Sequence, residues 1–256
     1  MKGLFKKEWV LMRREFIALI FVDIVVVGTS LQFMFIEGQD YFSSESQWLQ
    51  EKLIIVHLAA GVILLYQSLN REMKRPDIWL HSPVPFWRLI GVKGLFLAYV
   101  VMLSLLLCGA IIGVSYYIGG GTFPILDGIV LLFSVSVAIV LNSIYIMALG
   151  FLFWSIYQVL RSRIGWFSII ITIGVFYVWA FFWGILYFLE LFSPIKEMGP
   201  IKLTEGLSYL AYHNYIFTGL VPESAILSIG SLLLYVVMIA IYFFAGSVLF
   251  EKKVRL

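Results

Sequence analysis

Long apolar runs separated by short polar segments dominate the pattern of this chain. A hydrocarbon core about 30 Å thick is crossed by roughly 20 residues of α-helix. Runs of about this length or longer predict membrane-spanning helices. Six such runs are present, at residues 16–35, 53–69, 89–118, 125–157, 166–191 and 225–250.

The same runs exclude a β fold. An open sheet leaves unpaired backbone groups at its edges, and lipid cannot hydrate them. The runs also lack the alternation of apolar and polar residues that marks the strands of a transmembrane barrel. The pattern therefore predicts an all-α, polytopic membrane protein with six transmembrane helices in one transmembrane domain, residues 1–256.

Composition strengthens the membrane interpretation. Of the 256 residues, 62% are hydrophobic and 13% are charged, whereas a soluble domain has about 25% charged residues. Cys108, the single cysteine, lies in the third run. An intramolecular disulfide and a thiolate-rich metal site are therefore excluded, and Cys108 is expected to face lipid or to pack in the core.

The cations are distributed unevenly along the chain. If six spans alternate in direction, fifteen of the 18 Lys and Arg residues fall on the side of the two termini, and only Lys52, Lys196 and Lys202 fall on the other side. The positive-inside rule then predicts that both termini are cytoplasmic. The net charge of +3 is explained by this orientation signal, and no nucleic-acid partner is expected.

Residues 1–15 predict an amphipathic helix at the cytoplasmic membrane surface. At helical spacing Phe5, Trp9, Met12 and Phe16 share one face, and the cations occupy the other faces. Each cation near an anionic leaflet contributes about 1 kcal/mol. The arm is thus expected to lie in the headgroup plane before the chain turns into the first span. A simple topology anchor would need the same charges, and that alternative stays open.

The connection between the second and third runs, residues 70–93, is longer than a turn requires. Helix–helix connections usually need only a few residues, yet this one carries prolines, charges and two tryptophans. Ser82 followed by Pro83 has the form of a helix start. The short amphipathic piece at 77–81 suits docking into a groove on a cytoplasmic partner. The alternative is an interfacial loop with its tryptophans in the headgroup belt.

The longest segment on the opposite side lies between the fifth and sixth runs, at residues 192–224. Its stretch LSYLAYHNYIFTGL is aromatic and partly apolar but too short to cross a bilayer. The segment is expected to lie at the extracytoplasmic interface or to dip into it.

Together these features resemble the permease subunit of an ABC-2-type ATP-binding-cassette exporter. The resemblance rests on the basic arm KGLFKKEWVLMRREF, the six runs, the loop ending SPVPFWRLIGVKGL with Pro85 and Lys93, the outer segment and the short basic C-terminus. It covers nearly the whole chain. One departure is Pro76, which falls inside the segment that the family uses to contact its ATPase.

The resemblance implies a function and its partners. The chain would be the permease subunit of an ATP-driven exporter in the bacterial plasma membrane, moving an amphipathic, peptide or lipid-like substrate outward. Two such permeases, as a homodimer or heterodimer, would assemble in the lipid bilayer with two ATPase subunits. The residues implied to contact the ATPase are Glu72, Arg75, Asp77, Trp79, Leu80 and His81.

No phosphate-binding GxxxxGK[ST] motif occurs in the sequence. Under the resemblance, ATP and Mg are therefore bound by the partner subunit, while this chain needs no cofactor and has no catalytic residue. Two other classes stay open. The first is a non-transporting membrane anchor or immunity-type protein, and the second, less favoured, is a membrane-embedded enzyme, which would need a nucleophile with its base, paired carboxylates or metal ligands.

A few polar residues interrupt the apolar runs. An ionised carboxylate at the bilayer centre costs about 2.5–3.5 kcal/mol on insertion scales, so Asp23 is expected to line a translocation path, to pair with a cation or to cap the first turn of its span. His57 and Asn142 are candidates for the path or for hydrogen bonds between helices. The three histidines fall in different compartments, and no metal site is expected.

The third run contains GAIIG, a GxxxG motif formed by Gly109 and Gly113. Two glycines at this spacing allow the backbones of neighbouring helices to approach closely. The motif is therefore predicted to serve helix packing, either within one chain or across a dimer.

Overall fold

A computed structural model describes residues 2–36, 44–74, 84–118, 125–190, 192–196, 198–201 and 227–253. Across these residues the chain is helical apart from turns and one antiparallel pair of two-residue strands. In chain order the elements are α1 (Lys2–Ile36), α2 (Ser44–Met73), α3 (Phe86–Ile118), α4 (Ile125–Ile164), a 3-10 turn (Gly165–Phe167), α5 (Ser168–Phe188), α6 (Ser193–Lys196), β1 (Pro200–Ile201), β2 (Leu227–Ser228) and α7 (Ile229–Lys253).

Three stretches of the described chain are long and apolar enough to cross a membrane. They are Phe86–Ser115, Val135–Leu186 and Ile229–Lys252. The prediction of an all-α chain with apolar helices long enough to span a membrane is confirmed, whereas the count of six crossings stays a prediction. The second stretch is 52 residues long, more than one crossing needs.

This long stretch reverses direction at Gly165. The φ angle of Gly165 is +61°, a left-handed conformation that glycine adopts at little cost. The ring of Phe153 in α4 lies 5.3 Å from Phe176 and 6.0 Å from Trp179 in α5. Residues on either side of the turn can meet in this way only if the two helices run antiparallel. The predicted fourth and fifth runs thus form a helical hairpin.

Contacts divide the chain into two compact units. Unit 1 comprises Met1–Arg71 and Gly91–Ile144, and unit 2 comprises Glu72–Ile90 and Tyr145–Leu256. Unit 1 therefore holds α1, nearly all of α2, most of α3 and the first half of α4. The single transmembrane domain expected over residues 1–256 stays a prediction.

Unit 2 is held together by aromatic packing. Phe86, the first residue of α3, stacks on Phe250 of α7 with ring centroids 4.5 Å apart and an interplanar angle of 8°. Trp154 of α4 also stacks on Phe250, with ring centroids 5.3 Å apart. All three side chains are buried. Earlier in α4, Tyr145 packs edge-on against Tyr235 of α7 with ring centroids 5.6 Å apart.

The N-terminal arm is continuous with the first predicted span, so the expected turn between them is wrong. α1 runs unbroken from Lys2 to Ile36, because no proline or glycine occurs between residues 4 and 27 to interrupt it. Phe5 and Trp9 contact Phe96 of α3, at 5.1 and 6.4 Å, and Met12 is buried. Part of the apolar face of the arm thus packs on a neighbouring helix.

The start of α3 also differs from the prediction. The sequence placed a helix start at Ser82 and Pro83, which lie outside the described residues, whereas α3 begins at Phe86. The backbone amides of Arg88 and Leu89 donate to the carbonyl oxygen of Pro85, at 3.0 and 3.3 Å. Proline suits this position because it has no amide hydrogen that the first turn would leave without a partner.

Candidate functional site

Four polar side chains meet in the interior of unit 1, and we call them the Asp23 cluster. They are Asp23 of α1, His57 of α2, and Ser104 and Cys108 of α3. At most 5% of the surface of any of them is exposed. Asp23 lies deep within α1, so the interpretation of this residue as a cap in the first helical turn is wrong.

Hydrogen bonds order the polar groups of the Asp23 cluster. The hydroxyl of Ser104 donates to Oδ2 of Asp23. Since its proton is used in this way, the Ser104 oxygen accepts from Nε2 of His57 at 3.1 Å. Nε2 also lies 3.5 Å from Oδ1 of Asp23, an oxygen that accepts no hydrogen bond from the described residues. The three helices are thus cross-linked through one serine.

Cys108 completes the Asp23 cluster. It lies four residues after Ser104, so both side chains project from the same face of α3. One ligating atom from each of Asp23, His57 and Cys108 lies within 4.8 Å of the other two. A carboxylate, an imidazole and a thiol are the ligand types that proteins use for zinc.

Sequence reasoning named Asp23 and His57 but did not bring them together, and it left Ser104 out. The only local signal was the spacing of Ser104 and Cys108 in an apolar run. The separation of the three histidines in the sequence argues against a metal site built from several histidines. It does not argue against a mixed site that takes one ligand from each of three helices.

A second polar group, which we call the arm clamp, consists of Glu8 of α1, Ser68 of α2 and Lys93 of α3. Nζ of Lys93 donates to Oε1 of Glu8 at 2.7 Å and to Oγ of Ser68 at 2.8 Å. The Ser68 hydroxyl donates to the other Glu8 oxygen at 3.4 Å. All three side chains are buried. The arm clamp thus ties the N-terminal arm to two helices by a closed network that includes an ion pair.

Arg71, in the last turn of α2, makes a further connection to α1. Its guanidinium donates to the backbone oxygen of Leu11 at 2.6 Å and to the carboxylate of Glu15. Burial acts to raise the pKa of Glu15. The hydrogen bond and charge of Arg71, together with a backbone hydrogen bond and the charge of Arg14, outweigh burial and leave this pKa below its usual value.

The residues implied to contact an ATPase are mostly beyond the described chain. Glu72 is half-buried at the end of α2. The other members of this set, Arg75, Asp77, Trp79, Leu80 and His81, lie outside the described residues. Asn142 is buried in α4 and is not a member of the Asp23 cluster.

Of the two glycines in the GxxxG motif, only one lies against a neighbouring helix in the described chain. A Cβ atom added at Gly109 would lie 2.0 Å from Cδ1 of Leu132 in α4, whereas one added at Gly113 would meet nothing within 4 Å. Gly109 therefore leaves room on α3 for the Leu132 side chain of α4, which is a packing contact within one chain. Gly113 does not take part in this contact.

Comparison with known proteins finds no match to a family model, to a curated protein or to a solved structure. The resemblance to ABC-2 permeases therefore remains an expectation from the sequence.

Proposed function

We propose that the chain is the permease subunit of an ATP-driven ABC exporter, and that residues 70–93 form its contact with a separate ATPase subunit. The observation that carries the proposal is the attachment of both ends of this segment to α1. Arg71 bonds to Leu11 and Glu15 at one end, and Lys93 bonds to Glu8 at the other.

These contacts suit a segment that transmits force. Breaking a buried ion pair by removing one partner costs about 3–5 kcal/mol, so Lys93 and Glu8 should move together when the segment is displaced. Ser68 extends the same network to α2. A displacement of the segment by the ATPase would therefore move α1, α2 and α3 together. Such a concerted movement is needed to switch the substrate path from one side of the membrane to the other.

The remaining parts of the proposal follow from the resemblance and the composition. The partner ATPase binds ATP and Mg, two permease chains and two ATPase subunits assemble in the bacterial plasma membrane, and both termini are cytoplasmic. The apolar runs carry few charges, and an amphipathic, peptide or lipid-like cargo fits such a path better than a small ion does.

Co-purification tests the proposal directly. The tagged full-length chain, extracted from its native membranes, should bring down an ATPase, and Trp79→Ala or Asp77→Ala should lower the ATPase rate per permease without loss of permease from the membrane. Trp166→Ala is the matched control, because Trp166 is a largely exposed tryptophan at the predicted cytoplasmic turn outside residues 70–93. An unchanged rate in both variants would contradict the proposal.

The orientation of the segment can be tested separately in a Cys108→Ser background, which contains no other cysteine. A Trp79→Cys substitution should resist a membrane-impermeant thiol reagent in intact cells and react after permeabilisation. Gly120→Cys, in the predicted second outer loop between the third and fourth runs, should react in intact cells. Reaction of Trp79→Cys in intact cells would place the segment outside and rule out contact with a cytoplasmic ATPase.

The two alternative classes predict other results. A membrane anchor or immunity-type protein would keep the cytoplasmic segment but bind no ATPase and show no nucleotide-dependent movement. A membrane-embedded enzyme would turn over substrate as the purified chain, without nucleotide.

A further inference from the structure

We propose that the Asp23 cluster binds one divalent transition-metal ion, with zinc as the best match, through Oδ1 of Asp23, a ring nitrogen of His57 and the sulfur of Cys108. This inference is independent of the proposed function, because it concerns the isolated chain and requires neither an ATPase nor a cargo.

The spacing of the three ligating atoms suits a single ion. They lie within 4.8 Å of one another. In a tetrahedral zinc site with bonds of about 2.0–2.3 Å, neighbouring ligand atoms are roughly 3.3–3.8 Å apart. Small side-chain rotations therefore bring the three atoms to bonding distance without a change in the helices that carry them.

The hydrogen bonds leave one oxygen of Asp23 available to a metal ion. Ser104 occupies Oδ2 of Asp23, and Oδ1, on the side of His57, accepts no hydrogen bond within the described chain. One oxygen of the Asp23 carboxylate is thus fixed by a hydrogen bond from Ser104, and the other oxygen is free to bind a metal ion. Outer partners of this kind commonly position the ligands of protein metal sites. Ser104 is thus the positioning residue of the site.

Charge favours a cation at this place. Burial of an ionised carboxylate is costly unless a cation or a metal compensates it. A divalent ion bound by the Asp23 carboxylate and the Cys108 thiolate gives a centre with no net charge. On binding, Cys108 loses its thiol proton and His57 offers a ring-nitrogen lone pair, so any proton on that nitrogen leaves as well.

The ligand types narrow the choice of metal. Calcium and magnesium prefer oxygen ligands, whereas thiolate with imidazole selects zinc and its neighbours among the transition metals. Three protein ligands leave a fourth position for water or another small molecule, as in zinc sites that keep an open position.

Cobalt(II) is a suitable probe, because a cobalt–thiolate bond gives a charge-transfer band in the near ultraviolet. The full-length chain, purified in detergent and stripped with a chelator, should bind one cobalt ion and show this band, and one equivalent of zinc should abolish it. The chain has a single cysteine, so the band can arise only from Cys108. This measurement needs no variant.

Variants then test the named ligands. Cys108→Ser should remove the band, and Asp23→Asn or His57→Gln should abolish stoichiometric binding. Ser104→Ala should weaken binding by about 10–100-fold, as expected for a residue that positions a ligand. Ser143→Ala is the matched control and should bind like the wild type, because Ser143 is also fully buried on a helix but lies outside the Asp23 cluster.

Two results would overturn the inference. One is a wild-type chain that shows no thiolate band at one equivalent of cobalt. The other is metal binding that survives in Cys108→Ser, Asp23→Asn and His57→Gln alike. Neither result would affect the proposed exporter, which is tested by ATPase co-purification.

Discussion

Lys93, near the start of α3, donates a hydrogen bond of 2.7 Å to Glu8 of α1, and both side chains are almost completely buried. The two residues are 85 positions apart in the chain. Their contact turns a basic arm, which by composition resembles a membrane-surface helix, into a fixed part of unit 1. It also gives Lys93 an acidic partner, whereas the sequence predicts only that Lys93 is one of several cations on the cytoplasmic side.

Removal of either partner of this ion pair should destabilise the protein strongly. Glu8→Gln or Lys93→Met is expected to cost about 3–5 kcal/mol, because each removes one charge of a buried ion pair. Thermal unfolding of the purified chain in detergent measures the effect.

The double variant Glu8→Gln with Lys93→Met should recover part of the loss, since neither charge remains. Lys6→Gln, at an exposed position of the same arm, should change the stability little. A double variant no more stable than the worse single variant would contradict an ion-pair origin.

The contact of Arg71 with Glu15 should make stability depend on pH. Glu15 precedes the predicted first span, and its folded-state pKa lies below the ordinary value of 4.5. A lowered carboxyl pKa contributes stability above the unfolded pKa, and this contribution is lost as the pH falls through the folded pKa. The difference in melting temperature between wild type and Glu15→Gln should therefore be full at neutral pH and shrink below pH 4.5.

Arg71→Gln offers an independent check on the same pair. It removes the hydrogen bond and the charge of Arg71 that lower the Glu15 pKa, so it should remove most of the same acid-dependent part of stability. Combining it with Glu15→Gln should add little further pH dependence. A wild-type-to-variant difference that stays constant across the acid range would argue against this pairing.

Gly109 and Gly113 should respond differently to alanine. A Cβ at Gly109 would meet the Leu132 side chain, and overpacking of this kind costs about 1–3 kcal/mol. Gly113→Ala meets no atom within 4 Å and should be neutral or gain up to about 1 kcal/mol from higher helix propensity. Melting temperatures of the two variants test this directly. Equal effects would contradict the packing of Leu132 against Gly109.

Phe250 should be critical for unit 2. It is fully buried and stacks on Phe86 and Trp154, so Phe250→Ala is expected to cost about 3–5 kcal/mol. Phe244→Ala, on the same helix but 63% exposed, is the matched control and should cost much less. Chemical unfolding monitored by tryptophan fluorescence follows both, and similar losses would contradict the packing described for α7.

Some features of this protein are local, and the sequence alone predicts them. Apolar run length is sufficient to predict a helical membrane protein, because lipid requires every backbone polar group to bond within its own helix. The Gly165 turn lies where the predicted fourth and fifth runs are separated by Arg161 and Arg163. The apolar face of the arm also predicts a helix, but it does not predict that this helix continues into the first span.

The contacts between helices could not be predicted from the sequence and are shown only by the tertiary structure. The residues of the arm clamp and of the Asp23 cluster are isolated polar residues in apolar or basic sequence. They lie on three different helices, and no spacing motif in the sequence links them. Which of them meet depends on the rotation and height of each helix in unit 1, and many side-chain contacts together determine these. The sequence therefore predicts that buried polar groups need partners, and only the packed helices show which partners they have.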